Sequence, residues 1–190
     1  LDWLFINRTT HQTIAKNTFW LFAGQLISRV LRAAIVIYAA RVLGAESWGA
    51  FSYAIGIAAF LTIFSDIGIN ALITKEASRN PELRDRYLST AFFLKIALLS
   101  IFIIAVATLS SSLTNIREAA ALMPIIIFVF AFDTLRDLGS ALSRAMEKME
   151  VEAGINIFTN FTIVILGFIL LAMSRTSQSL AMAYAAGSGL

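Results

Sequence analysis

The sequence predicts an all-α fold, a bundle of helices that crosses a membrane several times. Of the 190 residues, 58% are hydrophobic and only 14% are charged. An average soluble domain is about a quarter charged and less than half apolar. The apolar runs are long enough for helices that cross the hydrocarbon core, which takes about 20 residues. They also lack the strict alternation of the shorter strands that build a membrane barrel.

Five apolar runs have the length of a membrane span, and a sixth is incomplete. They cover residues 17–43, 48–73, 87–109, 119–142, 153–173 and, for the incomplete run, 178–190. Residues 1–16 are predicted to form a polar N-terminal tail. Because the chain begins at Leu1 rather than Met and ends inside an apolar run, we expect a piece of a longer protein.

The connections between the runs carry the signals of helix ends. Gly44 is predicted to close the first run and Ser47 to cap the second. Asn80-Pro81-Glu82 is typical of a helix start, and Pro124 inside the fourth run predicts a kink.

The Lys and Arg residues outside the runs predict the orientation. One side of the membrane receives Arg8, Lys16, Lys75, Arg79, Arg84, Arg86, Arg144 and Lys148, and the other receives Arg41, Arg117 and Arg175. Because basic residues concentrate in cytoplasmic loops, the N-terminus is predicted to be cytoplasmic, in a multi-pass protein of the cell (inner) membrane.

Several function classes are disfavoured by the residues present. The chain has no Cys and a single histidine, His11, in the predicted tail, and no catalytic motif, so we expect neither an enzyme nor a metal or cofactor site. The net charge of +3 does not indicate nucleic-acid binding, because the basic residues lie in short loops rather than on one continuous surface.

Seven charged residues lie inside the predicted spans, namely Arg29, Arg32, Asp66, Lys95, Asp133, Arg136 and Asp137. A charge at the centre of a membrane helix costs about 2.5–3.5 kcal/mol on insertion scales. We therefore expect these side chains to face the interior of the bundle.

Helical periodicity places polar residues of four spans on one face each. These faces contain Gln25, Arg29 and Arg32 on the first span, Asp66 on the second, Asp133 and Arg136 on the fourth, and Asn156 and Asn160 on the fifth. The favoured interpretation is a water-filled cavity whose basic groups bind an anionic headgroup. The alternative is purely structural, with Arg29 and Arg32 paired to Asp66, and Arg136 paired to Asp133 at i,i+3.

Three smaller groups of polar residues are interpreted separately. Lys95 either extends to the lipid headgroups or lines the cavity. Asparagines inside membrane helices form hydrogen bonds between helices more often than they contact a ligand, and Asn156 and Asn160 are interpreted in this way, with ligand contact as the alternative. The loop that contains Arg144, Glu147, Lys148, Glu150 and Glu152 is interpreted as a solvated charged surface.

The first two spans resemble a known family. The shared features are Asn17 at the start of the first span, Ala-Arg-Val-Leu-Gly at 40–44, Trp48-Gly49, Asp66-Ile67-Gly68 and Thr74-Lys75-Glu76-Ala77. This pattern is similar to polysaccharide biosynthesis membrane proteins, the oligosaccharide-lipid (O-antigen type) flippases of the multidrug/oligosaccharidyl-lipid/polysaccharide exporter superfamily. The later spans match in hydropathy only.

The resemblance implies a MATE-like transporter of two lobes, of which this chain would be the N-terminal lobe. It implies alternating access, a polyprenyl-pyrophosphate-linked glycan as substrate, membrane lipids around the protein and the C-terminal lobe of the same chain as partner. Arg29 and Arg32 are the residues that match a role at the pyrophosphate. Asp66 would be a counter-ion or the site of a coupling proton or sodium ion. A multidrug or small-solute antiporter, a flippase for the peptidoglycan lipid precursor, and a membrane enzyme or assembly subunit are the alternatives.

Overall fold

A computed structural model describes residues 10–114 and 116–190, and every regular element in them is helical. The elements are α1 (Thr10–Asp66), α2 (Ile69–Arg79), a 3₁₀ turn (Pro81–Leu83), α3 (Arg84–Leu113), α4 (Arg117–Ala145), α5 (Met149–Met173) and α6 (Ser177–Gly189). The prediction of an all-α polytopic fold is therefore confirmed. Part of the predicted N-terminal tail, residues 1–9, lies outside the described residues.

Helix α1 has two arms that meet at Gly44. The backbone of Gly44 has φ 75° and ψ 176°, a region that is essentially restricted to glycine because it lacks a Cβ. The arms cover residues 10–43 and 45–66. The first arm begins seven residues before the predicted span, so residues 10–16 belong to a helix rather than to a tail.

The second predicted span is broken where the sequence indicated one helix. Ile67 and Gly68 have φ values of 36° and 79°, so the chain leaves the helix after Asp66 and resumes it as α2 from Ile69. The two helices are bent by 43° at this break. A β-branched residue with a positive φ is strained, and such strain tends to be found near functional sites.

The remaining helices lie over the predicted runs and extend beyond most of them. Pro81 opens the 3₁₀ turn that leads into α3, as expected from a proline at a helix start. The loops that join α3, α4, α5 and α6 are only a few residues long, which makes consecutive helices antiparallel neighbours.

Small residues set the contacts of α5 with its neighbours. A Cβ built on Gly24 of α1 would lie 2.7 Å from the Cβ of Ala153, and one on Gly167 would lie 2.6 Å from the Cδ1 of Ile35. Close approach of backbones at glycine is a common way to pack helices in membranes. These contacts fix α5 against the first arm of α1.

Most of the buried apolar core lies between α1, α4 and α6. It is formed by residues such as Ile35, Phe51, Leu122, Phe130 and Leu180. Many large apolar side chains point outward instead, among them Phe22, Ile63 and Phe93, with exposed fractions of 68–70%.

Three of the described helical segments are each long and apolar enough to cross a membrane, namely Pro81–Val106, Arg117–Ala145 and Met149–Met173. The bent pair of α1 and α2 also passes this test when it is taken together. The apolar outer surface is what such helices present to lipid.

Candidate functional site

A polar cavity lies among α1, α2, α4, α5 and α6. Its volume is about 500 Å³, within the range of roughly 300–1,000 Å³ that is common for ligand pockets. The walls mix charged and polar groups with apolar ones. The charged and polar lining residues are Arg32, Asp66, Asn70, Asp133, Arg136, Asp137, Thr159, Tyr184 and Ser188.

Four of the predicted site residues line this cavity. They are Arg32 and Asp66, from the two arms of α1, and Asp133 and Arg136, from α4. With Asp137, the walls present three carboxylates and two guanidinium groups. The balance of charge therefore differs from the sequence-based expectation, which counted Arg29 as a further cation of the interior.

Arg32 is held in place by an amide of α5. Its Nε and Nη2 both donate to Oδ1 of Asn160 at 3.3 Å, and Asn160 in turn donates from Nδ2 to the carbonyl of Asn156 at 2.8 Å. Asn160 is buried, whereas Arg32 is exposed. The interhelical hydrogen bond expected for this asparagine pair is thus made by Asn160, and it orients an arginine at the cavity wall.

Arg136 pairs within its own helix. Its Nη2 lies 2.7 Å from Oδ1 of Asp133, the i,i+3 pair that the structural alternative predicted. The Nε and Nη1 atoms of Arg136 are buried and have no hydrogen-bond partner among the described residues. Arg136 therefore retains donors that the surrounding helices do not use.

Asp66 pairs with Lys95 and not with an arginine. The Nζ of Lys95 lies 3.4 Å from Oδ1 of Asp66, which also accepts the backbone N–H of Asn70 at 3.2 Å. Lys95 is 1% exposed, so the first of its two interpretations, extension to the lipid headgroups, is wrong. It lies behind Asp66 rather than among the residues that line the cavity. Asp66 therefore has Lys95 as its ionic partner, in place of Arg29 and Arg32 as the structural alternative predicted.

Besides Lys95 and Asn160, three predicted residues lie away from the cavity walls. Gln25 and Arg29 are exposed and share one side of α1 with Arg32, so they extend the polar surface from the cavity toward the start of the helix. Asn156 is half-buried one turn before Asn160. Its carbonyl rather than its side chain makes the contact described above.

Sequence reasoning missed several lining residues. Tyr184 and Ser188 belong to the incomplete last run, where no charge indicated a polar face. Asn70 was not missed in this way, because helical periodicity places it on the same polar face of the second span as Asp66. Asp137, one of the seven charged residues expected to face the interior of the bundle, also lies at the cavity.

A second group of charges lies where the start of α1 meets the loop between α4 and α5. Nζ of Lys16 lies 3.2 Å from Oε2 of Glu150, and Arg144 binds both carboxylate oxygens of Glu152. Lys16 is 1% and Glu152 2% exposed. The interpretation of this loop as a solvated surface is therefore wrong for Glu150 and Glu152.

Catalytic and structural metal ions in proteins are held by clusters of side chains. Within residues 10–114 and 116–190, no cluster of three or more His, Cys, Asp and Glu side chains is placed to hold a metal ion. The donors and acceptors that remain suit binding of a polar ligand through hydrogen bonds and charge.

A family model described as "Polysaccharide biosynthesis protein" matches residues 14–189, which covers α1 except for its first four residues and all of α2 to α6. No curated protein and no solved structure matches the chain significantly. Together with its long apolar helices, the match indicates a multi-pass membrane protein with a part in the synthesis or export of polysaccharide.

Proposed function

The chain belongs to the polysaccharide biosynthesis protein family, and from that membership we propose that it is a flippase. Its substrate would be an oligosaccharide linked through pyrophosphate to a polyprenyl lipid, moved across the cell membrane for surface polysaccharide biosynthesis. The observation that carries the proposal is the polar cavity with Arg32 on its wall, inside a bundle whose outer surface is apolar.

Such a cavity answers a physical problem that this substrate poses. A pyrophosphate and several sugars cannot cross about 30 Å of hydrocarbon without a polar environment. A chamber between helices shields the headgroup, while the lipid tail remains among the acyl chains. In this view the described helices form one lobe, and a second lobe of the full-length protein closes the chamber in alternating access.

The cavity residues divide into two roles. Arg32 is the phosphate ligand, because a guanidinium matches phosphate oxygens with parallel N–H donors and Asn160 fixes its orientation. Asp66, Asp133 and Asp137 accept hydrogen bonds from sugar hydroxyl groups. Gln25 and Arg29 lie on the approach to the cavity along α1.

The membrane orientation remains a proposal from the distribution of basic residues. It places the start of α1 and the loop between α4 and α5 on the cytoplasmic side. The contacts of Lys16 with Glu150 and of Arg144 with Glu152 keep these segments at the same end of the bundle, as this orientation requires.

The test is export in cells that depend on this protein for surface polysaccharide. Arg32→Ala is expected to abolish most export and to leave the lipid-linked oligosaccharide accumulated, since its synthesis precedes its translocation. Arg41→Ala is the matched control, an exposed arginine on the same helix outside the cavity lining. Surface polysaccharide is measured by immunoblot and the lipid intermediate by extraction and mass spectrometry, at matched protein levels in the membrane.

Each result separates this proposal from an alternative. Normal export with Arg32→Ala would refute the role of the cavity arginine. Loss of export without accumulation of the lipid intermediate would indicate an enzyme or an assembly subunit, because the glycan would then not be completed.

A cation-coupled antiporter is the second candidate function. It is favoured by the excess of carboxylates over guanidinium groups on the cavity wall. In that case Asp66→Asn would remove activity, while Arg32→Ala would be tolerated. The flippase proposal predicts that Arg32→Ala is the more severe of the two substitutions.

A further inference from the structure

The break between α1 and α2 creates an environment that attracts a positive charge. The last carbonyl groups of a helix carry partial negative charge, and here α1 ends at the carboxylate of Asp66. Ile67 and Gly68 turn the chain away from the helix at this point. Interrupted helices inside a bundle are places where membrane transporters bind small cations through carboxylate and carbonyl oxygens.

In this protein the ammonium group of Lys95 occupies that environment. Its Nζ lies 3.4 Å from Oδ1 of Asp66 and 3.4 Å from the backbone carbonyl of Thr134 on α4. Both distances exceed the roughly 2.7–2.9 Å of a well-formed hydrogen bond between an ammonium and a carboxylate. The ammonium is therefore held among oxygens mainly by charge, with the lysine side chain almost completely buried.

Asp66, Thr134 and Asn70 carry more oxygen atoms than the two that Lys95 contacts. The hydroxyl of Thr134 and the side-chain oxygen of Asn70 are buried, and neither has a hydrogen-bond partner among the described residues. Asn70 donates its backbone N–H to Asp66, and Thr134 supplies the carbonyl that contacts Lys95. Buried oxygens without a donor are costly, and a bound cation satisfies them without any hydrogen bond.

We propose that Asp66, Thr134 and Asn70 form a binding site for a small monovalent cation, and that the ammonium of Lys95 fills this site as a tethered substitute for the ion. The other charged groups of the cavity that Asp66 and Asn70 line are Arg32, Asp133, Arg136 and Asp137. The natural protein therefore needs no sodium ion at this position. Removal of the ammonium opens a site that sodium can enter.

The inference does not depend on the proposed transport activity, since it concerns ion binding by the purified protein. The test uses the full chain in detergent, with Lys95→Met as the variant because Met keeps an unbranched apolar side chain and removes the charge. Thermal unfolding is measured in sodium chloride and in choline chloride at equal ionic strength. The double variant with Lys95→Met and Asp66→Asn is the control, because it also lacks the carboxylate.

The expected result is a sodium-specific stabilisation of Lys95→Met alone. At sodium concentrations well above the dissociation constant, its midpoint should rise by about 4–8 °C relative to choline. Wild type and the double variant should unfold at the same temperature in both salts. A sodium-specific shift of the same size in wild type would overturn the proposal, since the site would then not be filled by Lys95. The absence of a shift in Lys95→Met, or failure of this variant to fold in sodium chloride, would overturn it as well.

Discussion

The close contact between Gly24 and Ala153 predicts that Gly24→Ala lowers the free energy of unfolding, a result that follows from the three-dimensional structure. In Gly24→Ala the new Cβ would lie 2.7 Å from the Cβ of Ala153 and 3.0 Å from its Cα. Two carbon atoms in contact prefer about 3.5–4.0 Å. Because the obstacle is the root of a side chain and its backbone, no rotamer change relieves it. The first arm of α1 must then move away from α5 by about 1 Å.

Two opposing terms determine the size of the effect. Alanine is favoured over glycine inside a helix by about 0.8–1 kcal/mol. Overpacking of a tight contact costs about 1–3 kcal/mol, and the upper part of that range applies where backbone must move. Gly24→Ala should therefore lower the free energy of unfolding by about 1–2 kcal/mol.

Gly56→Ala is the matched control on the same helix. Gly56 is exposed, and a Cβ built on it meets no atom within 4 Å, so only the helix preference acts. This variant should be stabilised by up to about 1 kcal/mol. The gap between the two variants is then about 1–3 kcal/mol, which corresponds to roughly 2–12 °C in unfolding midpoint for a chain of this size.

Thermal unfolding of the purified chain in detergent, followed by circular dichroism, measures this gap. The reasoning is refuted if Gly24→Ala unfolds at or above the temperature of Gly56→Ala, because α1 and α5 would then not approach as closely at this point. The same displacement would stretch the contact of Arg32 with Asn160, at 3.3 Å, beyond hydrogen-bond length. Gly24→Ala should therefore also reduce export more than Gly56→Ala does.

Two further predictions concern buried polar contacts. Arg144→Met leaves Glu152, which is 2% exposed, without its cation and should destabilise the chain by about 2–3 kcal/mol. The loss is smaller than for a fully buried pair because Arg144 is 46% exposed. A thermal melt measures it, and the double variant with Glu152→Leu should recover most of the lost stability. Asn160→Leu removes the acceptor that orients Arg32 and should lower export several-fold while the lipid-linked intermediate accumulates; an effect no larger than that of Asn156→Leu would contradict this positioning role.

The helical fold could be predicted because it depends on chain-local properties. Apolar length and glycine at residue 44 are properties of the sequence itself, and each acts through the backbone or the solvent. The break at Ile67 and Gly68 could not be predicted in the same way. Isoleucine disfavours a positive φ, so the local preference of the chain opposes the conformation that its surroundings impose.

The sequence predicted which residues line the site more successfully than it predicted which residues they pair with. Periodicity placed Arg32, Asp66, Asp133 and Arg136 on inward faces, and it identified the intrahelical pair because i,i+3 spacing needs no tertiary information. The partner of Asp66 could not be found, since the rotation and depth of α3 relative to α1 decide whether Lys95 or an arginine reaches it.

The buried state of Glu152 was missed for a similar physical reason. A sequence rich in charges near a predicted loop is usually solvated, and nothing in its order shows which carboxylate is covered by another helix. Lys16 compensates Glu150 only after the start of α1 has packed against α5, and Arg144 compensates Glu152 only after the end of α4 has packed against the start of α5. Charge pairing of this kind is a consequence of the fold.

The partners of the charged residues distinguish stabilising contacts from a binding surface. Glu150 and Glu152 each contact an opposite charge, so these pairs hold helix ends together and leave little charge for a ligand. Arg32 instead contacts a neutral amide, and no described carboxylate lies within ion-pair distance of it. An arginine held in this way keeps its full charge and part of its donor set for an incoming anion. For this reason Arg32, rather than the arginine with an internal carboxylate partner, is the residue whose loss should most weaken phosphate binding.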